Sequence, residues 1–208
     1  MRNQWAKRTY DEVNIATSLE EVEKIFNGNK YLTKNEFGAI IGEMIGNFSD
    51  DMYNKLLIAF KSKKYNEHID ALTELEEPFI VCLFKAFFNN VKNGNTRNKN
   101  NLKNLIFDKS IKYNWFEKDK DNNTILHILM ENCNLLNDKE FDEVFSLIPL
   151  DGFNILNKND NNETIIQLFK TNNRLKTANK KKKIIEILNE STDSQAISID
   201  IDVYIEAE

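Results

Sequence analysis

The chain is poor in the side chains from which most enzymes and metal sites are built: its 208 residues include two histidines, two cysteines, two prolines and six glycines. His68 and His127 are far apart, as are Cys82 and Cys133, and neither a Cys-x-x-Cys pair nor a His-Glu-x-x-His run occurs. The common zinc patterns are therefore missing. Hydrolytic chemistry wants a nucleophile beside a base, or clustered metal ligands. Neither is written here, so no catalytic residue, metal ligand or cofactor is expected. No glycine-rich loop of phosphate-binding type appears. A calcium loop is excluded in the stretch from Asn27 to Phe37: registering Glu36 as its closing ligand puts Ile25 at the first position and Lys30 at the obligatory glycine.

No run of about 18 apolar residues could span a bilayer, and no apolar stretch near Met1 qualifies as a signal peptide. Both cysteines lie in apolar, helix-like runs, which points to packed free thiols in a reducing compartment. The expected location is the cytoplasm. A net charge of −5 and a pI near 5.3 argue against general binding to nucleic acid or anionic membranes. The one dense basic run, Lys180 to Lys183, reads as a solvated helix start and has no interleaved aromatics for base stacking. Heavy use of Asn, Lys and Ile fits an AT-rich genome, hence a microbial or viral source.

What is present is 41% hydrophobic, enough to bury a core. The first third is punctuated as helices. Ser18-Leu-Glu-Glu21 and Thr33-Lys-Asn-Glu36 have the capping-box pattern, and Gly28 and Gly46 are placed to stop the helices that follow. A third helix starts at Ser49 with Met52, Tyr53, Leu56, Leu57 and Phe60 as its apolar stripe. A fourth is expected from about Asn66 to Leu75, with Ile69, Leu72 and Leu75 inward and His68 solvated beside Glu67 and Asp70. Gly38, Gly42 and Gly46 recur at four-residue spacing, which predicts close packing of another helix.

The second half repeats itself. Asp119-Lys-Asp-Asn-Asn-Thr-Ile-Leu-His-Ile-Leu129 returns forty positions later as Asn159-Asp-Asn-Asn-Glu-Thr-Ile-Ile-Gln-Leu-Phe169, the mark of stacked supersecondary units. In each copy an Asx-rich turn runs into a threonine placed as helix N-cap, Thr124 or Thr164. The run Thr124-Ile125-Leu126-His127, followed by the apolar periodicity of Phe141, Val144, Phe145, Leu147 and Ile148 and by Asp151-Gly152-Phe153-Asn154-Ile155, resembles the ankyrin repeat. Ile125 and Ile165 stand where that family has proline, Gln167 where it has histidine, and Asn122 and Asn162 where it has the hairpin glycine. Asparagine is the best non-glycine residue for left-handed backbone. A first copy would open at Glu77-Pro78-Phe79-Ile80, with Pro78 at the first helical position and Val81, Leu83, Phe84, Phe87 and Phe88 inward. Its loop would span Asn89 to Asn101, its partner helix Asn101 to Phe107, and the next hairpin Tyr113 to Asn123. The last copy would end in a second helix, Lys183 to Leu188.

The expected fold is all-α: a helical N-terminal segment (1–71), an ankyrin-like solenoid of about three degenerate repeats (72–191), and a tail (192–208). In the tail Ile197, Ile199, Ile201, Val203, Ile205 and Ala207 alternate with polar residues, strand-like or disordered. The resemblance implies structural roles for Thr124, Leu126, His127, Gly152, Thr164 and Ile166, with the His127 imidazole bonded to neighbouring hairpin backbone. It also implies a non-enzymatic protein-interaction module whose partner is another protein, while charge and the lack of apolar spans speak against membrane and nucleic acid. Its partner would be faced by Lys120, Asp121, Asn123, Glu131 and Asn132 in one repeat and by Asp160, Asn161, Glu163, Thr171 and Asn172 in the next. A microbial or viral effector capturing a host protein fits that reading. Two rivals stay open: a structural subunit docked through its tail, and an enzyme whose site lies among the N-terminal helices near His68, Glu67 and Glu74. Oligomeric state is not specified by these features.

Overall fold

The computed structural model describes residues 4–28, 31–150, 153–154 and 156–171. Gly152, Asn172, the basic run at 180–183, the expected helix at 183–188 and the tail lie outside them. Among the described residues the chain forms ten α-helices, one 3-10 turn and no β-strand, so the fold is all-α. It divides into two compact units, residues up to Lys120 and residues from Asp121 onward.

The first unit contains α1 (Gln4–Ile15), α2 (Leu19–Gly28), α3 (Lys34–Gly46), α4 (Asp50–Lys61), α5 (Lys63–Glu67), α6 (Phe79–Lys92) and α7 (Thr96–Ile106). Side chains start these helices as the sequence implies. The Glu21 carboxylate accepts from the backbone N–H of Thr17 at 2.8 Å and of Ser18 at 3.3 Å, and Ser18 Oγ accepts from Glu21 N–H at 3.2 Å. Thr33 and Glu36 close a capping box, Ser49 caps α4, and α2 and α3 end on Gly28 and Gly46. Each such cap satisfies N–H groups that the first turn cannot pair, stabilising by about 1 kcal/mol.

Packing follows two rows. α1 contacts α3 and α3 contacts α6; α2 contacts α4 and α4 contacts α7; within pairs, α1 meets α2, α3 meets α4 and α6 meets α7. The α3–α6 and α4–α7 contacts cross the 71/72 boundary expected from sequence. Between the rows Phe26, Phe37, Phe60, Tyr65 and Phe79 meet mostly edge-on or tilted, with centroids 5.0 to 6.4 Å apart, the geometry that ring quadrupoles favour. Tyr65 donates its hydroxyl to the Lys112 carbonyl and Tyr113 to that of Leu105. Burial pushes both phenols above their ordinary pKa. Lys55 is buried as well, its Nζ donating to the Asn14 carbonyl at 2.9 Å and pairing with Asp51 at 2.7 Å.

The expected fourth helix is not formed. Ser62 caps an earlier, five-residue helix, α5, and residues 72–78 make a tight hairpin closed by an antiparallel bridge between Leu72 and Pro78. Ile69, Leu72 and Leu75 are 36%, 42% and 70% exposed rather than inward. The helical spacing of these three is a coincidence that the Ser62 cap and the Thr73 turn override. His68 is not solvated: half-buried, it donates from Nε2 to the Leu32 carbonyl at 3.1 Å and packs on Phe37.

What approaches α3 at its glycines is this hairpin, not a helix. A Cβ on Gly38 would lie 1.8 Å from the Leu72 carbonyl oxygen, and one on Gly42 would lie 2.8 Å from Thr73 Cβ, whereas one on Gly46 would meet nothing within 4 Å. α6 begins one residue later than expected, with Pro78 at the cap position. α7 begins at Thr96 because the Asn95 side chain accepts from Asn98 N–H at 3.1 Å. The expected loop from Asn89 to Asn101 shrinks to three residues, among them Gly94 at φ 68°.

The second unit contains α8 (Ile125–Asn132), the 3-10 turn Cys133–Leu135, α9 (Asp138–Ser146) and α10 (Ile165–Thr171), with α8 and α10 in contact. Asn137 and Glu140 close a capping box on α9, which buries Phe141, Val144 and Phe145. Leu147 falls beyond the end of that helix and is exposed, although Ile148 is buried. Both cysteines are free thiols.

Candidate interaction surface

Three turns share one local form. Glu76, Asn122 and Asn162 have φ of 60°, 59° and 63°, the left-handed non-glycine residues among those described. Each stands two residues before a helix cap: Pro78 for α6, Thr124 for α8, Thr164 for α10. In the first turn Glu76 N–H donates to the Thr73 carbonyl at 2.9 Å and Thr73 N–H to that of Glu77 at 3.0 Å. In the third, Asn162 to Asn159 and Asn159 to Glu163 repeat both bonds at 2.9 and 3.0 Å. A bridge joins Lys158 to Thr164 as one joins Leu72 to Pro78. Thr73 Oγ1 and Asn159 Oδ1 each accept from the N–H four residues on, at 3.3 and 2.9 Å.

At the cap the three turns solve one problem in three ways. Thr124 N–H points at His127 Nδ1, 3.2 Å away, with Thr124 Oγ1 at 2.8 Å from the same nitrogen, while Nε2 lies 3.1 Å from the Asn157 carbonyl. A carbonyl only accepts and a backbone N–H only donates. The imidazole is thereby fixed as the neutral form protonated at Nε2. Thr164 N–H instead donates to Gln167 Oε1 at 2.8 Å, and Gln167 N–H returns a bond to Thr164 Oγ1 at 3.2 Å. Pro78 has no N–H, and the matching position is the buried, apolar Val81. Leu126 and Ile165 are buried, and Ile166 is half-buried.

The second and third turns are tied to each other. Asp160 N–H donates to the Asp121 carbonyl at 3.0 Å, Asn122 Nδ2 to Asp160 Oδ1 at 2.6 Å, and Asn159 Nδ2 to Asn123 Oδ1 at 3.0 Å. Several residues expected to face a partner are thus engaged by the fold: Asn123, Asp160, Glu163 through Asn159, Asn132 through the Ile128 carbonyl, and Thr171 through its hydroxyl to the carbonyls of Gln167 and Leu168. Lys120, Asp121, Glu131 and Asn161 are exposed. Sequence reading missed the tip of the first turn, Glu74, Leu75 and Glu76, which occupies the positions of Lys120 to Asn122 and of Asp160 to Asn162. Its signal, a Thr-x-x-x-Glu-Pro run ahead of an apolar helix, lacks the asparagine that marks the other two.

One buried ionic node lies in the first unit. Lys85 Nζ pairs with Glu77 and, at 2.9 Å, with Asp119, both carboxylates being buried. Burial acts to lower the Lys85 pKa, but its bonds to Glu77 and Asp119 hold it above the ordinary value. Cys82 Sγ is 3.3 Å from Glu77 Oε2, and burial, then the Glu77 charge, pushes its thiol up to about 12. So protonated a sulfur is a poor nucleophile, and the node reads as a structural tie. Among the described residues no three His, Cys, Asp or Glu side chains are grouped to hold a metal ion, and no helix is long and apolar enough to cross a membrane. Compared with known proteins, the chain matches no family model, no curated sequence and no solved structure.

Proposed function

We propose that this protein is a non-enzymatic interaction module built on ankyrin-like repeats, which captures another protein through the tips of its turns. The observation that carries the reading is the recurrence, two residues before the caps of α6, α8 and α10, of a left-handed residue, Glu76, Asn122 or Asn162, with the same pair of backbone bonds closing the first and third of these turns. The pairs just ahead of these residues differ in sequence, Glu74-Leu75, Lys120-Asp121 and Asp160-Asn161, and all are exposed, with Asp160 also bonded to Asn122. A constant frame with variable, exposed tips is how repeat proteins separate stability from recognition. The chemistry at hand supports binding better than catalysis, because Lys85, Glu77 and Asp119 pair with one another and the Cys82 thiol beside them is held protonated.

The test is affinity capture by the full chain from a cell lysate, with the retained protein identified and then titrated against variants. Lys120→Glu with Asp121→Lys should weaken binding tenfold or more while leaving the melting temperature within about 2 °C, as exposed substitutions typically change stability by about 0.5 kcal/mol or less. Unaltered affinity for the identified partner would remove these tips from the interface. Deleting residues 193–208 separates the rival reading, since loss of capture by that deletion alone would assign docking to the tail.

A further inference from the structure

We propose that the outer face of α1 pairs with the same face of a second copy of this chain, the two helices running antiparallel about Tyr10. This pairing stands whether or not the turns capture another protein. α1 turns Ala6, Thr9 and Val13 inward and meets α2 and α3. Trp5, Arg8, Glu12 and Ile15 follow one another at spacings of three, four and three, so helical periodicity sets them along a single stripe beside that buried face. The stripe is open to solvent. Trp5 and Ile15 are 68% and 72% exposed, and the side chains of Arg8 and Glu12 are 70% and 47% exposed. A large apolar group thus stands at each end, about 15 Å apart along the axis, with two opposite charges between them.

The order of these four residues selects the occupant. Trp5 and Ile15, like Arg8 and Glu12, lie symmetrically about Tyr10 in the sequence. Laid antiparallel on itself, the stripe brings Trp5 onto the other copy's Ile15 and Arg8 onto its Glu12, and each contact occurs twice, as a two-fold interface requires. A parallel pair would instead set Arg8 on Arg8 and Glu12 on Glu12, which like charges disfavour. Within the chain Arg8 Nε donates to Glu12 Oε1 at 3.1 Å, and the guanidinium lies 5.9 Å from the Trp5 ring centre. These contacts hold both charged side chains on the stripe. They use one guanidinium N–H and one carboxylate oxygen, so the other N–H groups of Arg8 and Glu12 Oε2 remain for the second copy. The three-four spacing is also that of helices that pair along a seam. An interface of one helix from each copy is small, which makes the association a reversible one.

The experiment is sedimentation velocity of the full chain over a range of concentrations, which should show a monomer passing into a dimer, with tryptophan emission moving to shorter wavelength as Trp5 leaves water. Ile15→Ser should weaken the association tenfold or more. Arg8→Glu and Glu12→Arg should each do the same while the melting temperature stays within about 2 °C. Mixing those two variants in equal amounts should restore the dimer. Neither variant can form the charge pair within its own helix, so recovery on mixing reports contacts between copies and not a repair of α1. A chain still monomeric at about 1 mM, an association that Arg8→Glu leaves unchanged, or no recovery on mixing overturns the inference.

Discussion

Replacing His127 separates what its two nitrogens do. The side chain is almost wholly buried, with Nδ1 facing Thr124 N–H and Nε2 donating to the Asn157 carbonyl. His127→Ala leaves a buried N–H and a partly buried carbonyl without these partners and opens a cavity. An unmade buried bond costs about 1–3 kcal/mol, and the lost packing adds to it, so about 3–4 kcal/mol is expected. His127→Gln should be much milder. Gln167 shows in this same chain that a glutamine oxygen can receive the cap N–H, at 2.8 Å, so only the bond to Asn157 is lost, about 1 kcal/mol. Both tryptophans lie in the first unit, so tryptophan fluorescence is blind to this change. Hydrogen exchange followed by mass spectrometry on peptides covering residues 124–132 and 156–168 reads it directly. Faster exchange confined to those peptides, with alanine far ahead of glutamine, is the expected result. Equal effects of the two substitutions would refute the assignment of the cap bond to Nδ1, and an alanine variant as protected as wild type would refute the whole network.

Two further outcomes follow from the packing and the titrating groups. Gly38→Ala should destabilise the first unit by about 3 kcal/mol or more, because its Cβ meets backbone that cannot yield, whereas Gly46→Ala should be neutral or stabilising by a few tenths of a kcal/mol; urea unfolding that ranks them alike would contradict the close approach of Leu72. In alkali the chain should lose stability as pH rises above about 9: Cys82, with its folded value raised to about 12, keeps its proton when the unfolded thiol has lost it, and Tyr65 and Tyr113, also raised, act in the same direction above about 10. Each group contributes a slope of about 1.4 kcal/mol per pH unit between its unfolded and folded values. Cys82→Ala should flatten the profile first near pH 9 to 10, and a denaturation midpoint that holds constant from pH 8 to 11 would contradict these burials.

Three helix starts of the first unit were legible from the spacing of their caps, whereas those set by Ser62 and Asn95 were not. Ser18, Thr33 and Ser49 cap where their spacing implies, and Asn122 and Asn162 take the left-handed conformation for which asparagine suits them. The first turn escaped notice because its cap is a proline and its left-handed residue a glutamate, neither of which signals a hairpin by type. Ile69, Leu72 and Leu75 imitate a helical stripe by spacing alone, and only the glycines of α3, distant in sequence, reveal that extended backbone passes there. The asparagines at the start of α7 read as loop, yet Asn95 caps the helix and Asn98 and Asn101 bond across to the Phe48 carbonyl and Asp50. Of the proposed surface, the second and third tips could be read from the repeat, whereas which of their residues the fold itself consumes could not, since Asp160 and Asn123 are engaged by partners 36 to 38 positions away.

The pairs Pro78/Val81, Thr124/His127 and Thr164/Gln167 carry a lesson about how such a chain can drift. A donor and its receiver, or neither, must be inherited together. Pro78→Thr on its own would aim a new donor at an isopropyl group, and Gln167→Val on its own would strand an existing one; Pro78→Thr with Val81→Gln, or Gln167→Val with Thr164→Pro, keeps donor and receiver matched. Change at such a cap is thus channelled into joint steps, so that two turns can differ in every cap residue while the bend that introduces each helix keeps its shape.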